Sequence, residues 1–365
     1  MSTSKRHHNT GSTSSDENRK HRRMNNIYDH IKCLDHFSTL NQDTTWTLDG
    51  IDIVKAFDAF RSSNLEDFSL ARDGIADLRP GSKFKLSLPP HVASVISRVD
   101  PAPCNIYQKW PTLTAILERV FKANNYEDVA LAVMKEDMDD PIAGSHYFTF
   151  HNEIPSDINE RMAFTDFTWR FVRGALTMTR IESRSLKVLN RDLLQESKEV
   201  DQFSDRIVYS GGEHVYLAEA SALYQPRVVK LRQDGVKLVR TMRDSWVSQV
   251  RSICREALPH RSMTVLGSWT YKDETKFWLM DFKGVFRLRE FDSFVIPVKK
   301  HGFGRRMKNT MLSCLELAAR VEEEIRRRAQ DVTYVKYDER VELSEAVRMI
   351  ESSISTAKRV ESVAR

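Results

Sequence analysis

Two acids carry the chemistry that this sequence can offer. Asp205 and Glu219 bracket two short apolar runs, 207–209 and 215–218, separated by Ser210-Gly211-Gly212-Glu213. The glycine pair tolerates the positive φ values of a tight hairpin, so the segment predicts strand, turn, strand. In a hairpin centred on the glycines the two acids meet at one end of a sheet. Their oxygens can there hold a hard divalent cation. Spacing alone also admits a plainer reading, with Asp205 as a turn residue and Glu219 as a solvated strand end.

The elements that must position these acids follow from periodicity. Ser156 can cap a helix carrying Glu160 in its first turns and Phe164, Phe167, Phe171, Val172 and Leu176 on one face. Leu186, Leu189 and Leu193 suggest a second helix. After the hairpin, Pro226 opens a long helix towards Pro259, and Gly235 is a candidate break because glycine costs about 1 kcal/mol in a helix interior. Strands are expected over 264–271, 276–282 and 285–291. Phe277, Leu279 and Asp281 share one strand face and Trp278, Met280 and Phe282 the other, which predicts a sheet covered on both sides. A helix over 304–330 carries Glu322-Glu323-Glu324 ahead of Arg326-Arg327-Arg328, a pattern that i,i+4 pairs on a solvated face explain.

The first half of the chain offers less. Residues 1–24 are polar and basic, with almost nothing to bury, and read as a disordered tail. Within it, Lys5-Arg6 is followed after twelve residues by Arg19, Lys20, Arg22 and Arg23, a spacing like that of a bipartite nuclear import signal. Residues 25–150 read as a helical accessory region. Ile51, Val54, Phe57 and Phe60 recur at helical spacing, and Pro111 opens a helix with Leu113, Ile116, Leu117 and Val120 on one face. Phe84, Leu86 and Leu88 alternate before Pro89-Pro90, as in a short edge strand. Acidic residues at 136–140 lack the pattern of an EF-hand loop and read as a solvated turn.

Composition narrows the class. The chain of 365 residues fits two domains, or one large domain with extensions. Cys33, Cys104, Cys254 and Cys314 include no C-x-x-C pair, which speaks against a zinc site or a disulfide framework and for a reducing compartment. No apolar run is long enough to span a membrane, and the N-terminus lacks the apolar core of a signal peptide, so a nuclear or else cytoplasmic protein, not a secreted one, is expected. The net charge of +5 is compatible with nucleic acid without demanding it.

The order from 156 to 330, a helix with an acid, a hairpin with Asp and Glu, a long helix, strands and a helix, resembles the PD-(D/E)XK nuclease core. Segments DRIVYSGGEHVYLAEAS, KLVRTMRDSW and WLMDFKGVFRLREFDSFVIP are also similar to a group of mucoromycete fungal proteins with this type of core. The resemblance implies an α/β fold, with a mixed central sheet flanked by helices in a restriction-endonuclease-like core at 151–332. The helical region precedes it and a C-terminal helix within 333–365 follows it. It implies Mg2+ held by Asp205 and Glu219, with Glu160 as a further ligand. The lysine of the motif falls on Ser221, which is neutral at pH 7. Lys230 on the following helix could supply the cation instead, because some members of this fold group place it elsewhere. The expectation is a degenerate nuclease-like protein that binds nucleic acid, with weak or lost phosphodiester hydrolysis. Two alternatives use the same residues: a protein-interaction module that keeps the fold and engages a partner, or itself, through the C-terminal helix; and a basic packaging protein driven by the tail and Arg305-Arg306.

Overall fold

A computed structural model describes residues 46–63, 70–96, 105–122, 126, 128–129, 164, 168–177, 187–189, 206–210, 213–221, 228–255, 263–271, 273–296 and 302–330. The tail, the acidic stretch at 136–140, Glu160, Asp205 and the C-terminal helix region lie outside them.

In chain order the elements are β1 (Thr47–Leu48), β2 (Ile51–Asp52), α1 (Ile53–Ser63), a 3-10 turn (Leu70–Asp73), β3 (Ile75–Asp77), α2 (Lys83–Ser87), α3 (Pro90–Ile96), α4 (Ile106–Lys109), α5 (Pro111–Val120) and α6 (Trp169–Thr177). Then come β4 (Lys187–Leu189), β5 (Arg206–Ser210), β6 (Glu213–Ser221), α7 (Val228–Arg255), β7 (Val265–Tyr271), β8 (Glu274–Phe282), β9 (Phe286–Val295) and α8 (Phe303–Gln330). β1 and β2 form a small separate hairpin whose turn, Asp49-Gly50, has both residues at positive φ.

The main sheet has seven strands in the order β3-β9-β8-β7-β6-β5-β4. Its five central strands are those the sequence predicts, and a three-residue strand closes each edge. β5 pairs antiparallel with β6, as the double glycine requires, while β6 and β7 run parallel. Parallel neighbours need a crossover, and α7 is that crossover. The remaining pairs are antiparallel except β3 with β9. The molecule is therefore mixed α/β, with helices on the sheet.

Both faces of the sheet are covered, as the two-residue period on β8 predicts. Phe277 and Leu279 pack with Phe171 and Leu176 of α6 and Phe303, Leu315 and Ala318 of α8. Trp278 and Met280 pack with Leu238, Val239, Met242 and Trp246 of α7. Each fully buried side chain of this size contributes about 1.5–3 kcal/mol. Gly267 of β7 makes room for α7, since a Cβ there would lie 2.6 Å from the Met242 sulfur.

Three local expectations change. The 84–88 segment forms helix α2, Lys83–Ser87, with Leu88 as its C-cap, rather than a strand. Ser82 caps it, and Phe84 and Leu88 are buried four residues apart while Leu86 is 73% exposed. An edge strand would have put all three on one face. The leucine-spaced segment around 186–193 contains strand β4, paired with β5; edge hydrogen bonding overrides a short helical pattern. Finally, α7 runs unbroken through Gly235, which lies 3.8 Å from the Trp269 ring by its would-be Cβ.

The region before residue 150 is not only helical. It supplies β3 to the main sheet and its own apolar cluster, in which Phe57, Phe84 and Val92 meet Ala76 and, from just before β9, Val285. Asp73 binds α7 directly. It accepts from Arg240 Nε at 2.8 Å through its carboxylate and from Arg243 Nη1 at 2.9 Å through its carbonyl oxygen. Among the described residues no helix is long and apolar enough to cross a membrane.

Candidate functional site at the carboxyl end of the parallel strand pair

Register places the site. Along the parallel pair, Glu219 lies beside Trp269 and Ser221 beside Tyr271, at the carboxyl ends of both strands. Open α/β sheets offer ligand crevices at this end. Ala218 and Ala220 join the α6–α8 core, so Glu219 and Ser221 fall on the α7 face.

Glu219 is 4% exposed, so it is not the solvated strand end that spacing admitted. Its Oε1 accepts a hydrogen bond of 2.6 Å from Lys237 Nζ on α7. The pair is asymmetric: the lysine side chain keeps 30% of its surface and the glutamate 6%. Ser221 is buried, and its Oγ accepts from Trp269 Nε1 at 3.0 Å. Trp269 stacks on Tyr271 with ring centroids 5.9 Å apart and planes 11° apart. It also meets Trp278 at 5.6 Å. Over Trp278 lies the Arg79 guanidinium, 4.4 Å from the ring centroid and held by Asp77 of β3 at 2.8 Å. Glu290, beside Trp278 in register, has its pKa raised, first by burial.

The amino ends of the same two strands hold a second polar group. Glu324 Oε1 on α8 accepts from the Thr264 backbone N–H at 2.8 Å and from Arg328 Nε at 2.7 Å. Arg328 donates onward to Thr264 O at 2.5 Å and to Gln249 Oε1 at 2.6 Å. Gln249 Nε2 donates to His214 O at 2.9 Å, and His214 Nδ1 lies 2.8 Å from Ser245 Oγ. The His214 pKa is lowered to about 4, by burial first and then by the Arg328 charge. The predicted solvated face of α8 therefore divides. Arg326 and Glu323 form an exposed pair, whereas Glu324 and Arg328 are 5% and 4% exposed and clamp α8 to β7 and α7.

Of the residues singled out by sequence, the structure describes Glu219 and Ser221 side by side at one sheet end. Asp205, the residue before Arg206 in β5, and Glu160 lie outside the described residues. Lys230 lies within α7, but its side chain is outside them. The cation that the structure brings to Glu219 is Lys237, which sequence reasoning missed. Lys237 follows Lys230 by seven residues, close to two helical turns, so a search of the same stripe of α7 could have found it. Among the described residues, no group of three or more His, Cys, Asp or Glu side chains could hold a metal ion.

No family model, no curated protein and no solved structure matches this chain.

Proposed function

We propose that the chain is a nuclease-like protein with a restriction-endonuclease-like core, which contacts nucleic acid and has weak or lost metal-dependent hydrolysis. The observation that carries this reading is the 2.6 Å contact between Lys237 and Glu219. Magnesium, when bound at such a site, activates a water and offsets charge on the reacting phosphate. Here the carboxylate that would hold it is already neutralised by an ammonium, so a divalent cation has to compete for Oε1. Ser221 adds no charge, because its hydroxyl is neutral at pH 7, and its oxygen accepts from the Trp269 indole. Loss of one electrostatic donor at a reacting centre typically slows the step by about a hundred- to a thousandfold.

The same contact supports a second reading, in which Lys237 is the displaced catalytic lysine. Calorimetry with Mg2+ and cleavage of plasmid and single-stranded substrates separate the two. Degeneracy predicts a weak Mg2+ isotherm or none, and at most slow cleavage that chelation stops. Robust cleavage by the unaltered protein, lost on both Lys237→Ala and Glu219→Ala, would establish the second reading. Nuclear import remains a proposal resting on the tail: a reporter fused to residues 1–30 should enter the nucleus, and should stay out once Arg19, Lys20, Arg22 and Arg23 are alanine.

A further inference from the structure

Across the sheet from Glu219, the loop end of α5 meets the first turns of α8. Two contacts establish this. Lys308 Nζ lies 3.0 Å from Glu118 Oε2, and the Tyr126 and Phe303 rings meet edge to face at 5.2 Å. The junction is cationic. Arg119, Lys122 and Arg305 are exposed and Arg306 and Lys308 half-buried, against Glu118 and Asp128 among the described residues of these two segments. Arg305 and Arg306 also sit at the positive end of the α8 dipole, in a first turn with no acid, a placement unfavourable unless an anion is bound.

An aromatic ring lies in the same place. Tyr107 of α4 is 49% exposed, one of three large apolar side chains left exposed among the described residues. Its hydroxyl donates to Glu118 Oε1 at 3.3 Å, so the carboxylate that receives Lys308 also anchors the ring. Nucleotide-binding surfaces for unpaired strands combine these two parts, a ring on which a base stacks and cations that follow the backbone. An anionic membrane would use the cations but has no use for a single ring anchored by its hydroxyl to an acid.

We propose that this surface binds single-stranded nucleic acid, with a base stacked on Tyr107 and phosphates against Arg119, Lys122, Arg305, Arg306 and Lys308. The inference rests on the reading of the chain as a nucleic-acid-binding protein, and it puts the strand on the face opposite Glu219. Binding here therefore does not depend on magnesium or on the Glu219–Lys237 pair.

Fluorescence anisotropy with labelled oligo(dT), measured on the full chain across a salt series, tests it. The double substitution Arg305→Glu, Arg306→Glu should weaken binding at least about tenfold and flatten the salt dependence, since each lost phosphate contact removes about 0.7 from the slope of log K against log salt. Tyr107→Ala should weaken it roughly five- to a hundredfold. Tyr107→Phe keeps the ring and should bind as the unaltered protein does, which separates stacking from the hydrogen bond to Glu118. Wild-type affinity and slope in the double variant, with binding abolished only by the alanine substitutions in the tail, would overturn the inference and leave nucleic-acid binding itself standing. Preference for duplex DNA with no effect of Tyr107→Ala would overturn the single-strand assignment. Failure of the unaltered protein to bind any oligonucleotide, or binding only to phosphatidylserine vesicles, would overturn both this inference and the reading it rests on.

Discussion

The two ends of the β6–β7 pair each bury a glutamate beside a cation, and they do so differently. At the amino end, Glu324 and Arg328 are both buried, and their hydrogen bonds go to backbone and amide groups of Thr264, Gln249 and His214 in three other segments. At the carboxyl end, Glu219 is buried but Lys237 is part-exposed, and the hydrogen bond between them joins side chains alone. A buried ion pair whose partners also satisfy backbone groups is a structural clamp, costly to break. A pair with one wet, flexible member can open, exchange its cation or accept a ligand. The comparison separates charge used to hold the fold from charge still available for chemistry.

The largest effect should come from breaking the clamp. Glu324→Ala strands the buried Arg328 guanidinium and should cost about 3–5 kcal/mol in urea unfolding; Arg328→Met should cost less, because Arg327 still pairs with Glu324. Equal costs for Lys237→Met and Glu324→Ala would erase the distinction between the two ends.

Next in size is the pH dependence of the amino end. The folded-state pKa of His214 is lowered from 6.5 to about 4, so the unfolded chain binds more protons between these values. Stability is fully present above pH 6.5 and is lost as pH falls through 4, with a total of order 3 kcal/mol. His214→Gln should flatten the unfolding midpoint across that window, and an unchanged slope would remove His214 from the network.

Changes at the carboxyl end should be smaller. Ser221→Lys places a long side chain where the Trp269 indole donates, and should destabilise by about 1–3 kcal/mol through overpacking rather than restore cleavage. A gain in Mg2+-dependent cleavage without loss of stability would show that the site is roomier than its geometry implies. Lys237→Met should cost about 1.5–3 kcal/mol, less than breaking the clamp, because the lysine is part-exposed and water can take its place beside Glu219. Smallest of all is Arg326→Ala. Its partner Glu323 is exposed and so is Arg326 itself, and the unfolding midpoint should not move.

What the sequence determined by itself is whatever local period and turn chemistry encode. Gly211-Gly212 called for a hairpin joining the apolar runs 207–209 and 215–218, and the alternation of Phe277, Trp278, Leu279 and Met280 called for a sheet covered on both faces. Helical spacing also marked the two long helices, α7 and α8. Each of these is a preference of neighbouring residues, legible without knowing what lies across the fold. Tertiary structure alone decided which of several similar charges mattered. Glu323 and Glu324 are adjacent in sequence, yet one faces water and the other is buried against the start of β7. Lys230 and Lys237 lie on one helix, and what singles out Lys237 is the point at which α7 crosses the end of β6. Nor does spacing reveal that residues 75–77 close the sheet beside β9, some two hundred residues away in the chain. The physical reason is one: backbone preferences are local, whereas desolvation and pairing depend on what the folded chain brings within a few ångströms.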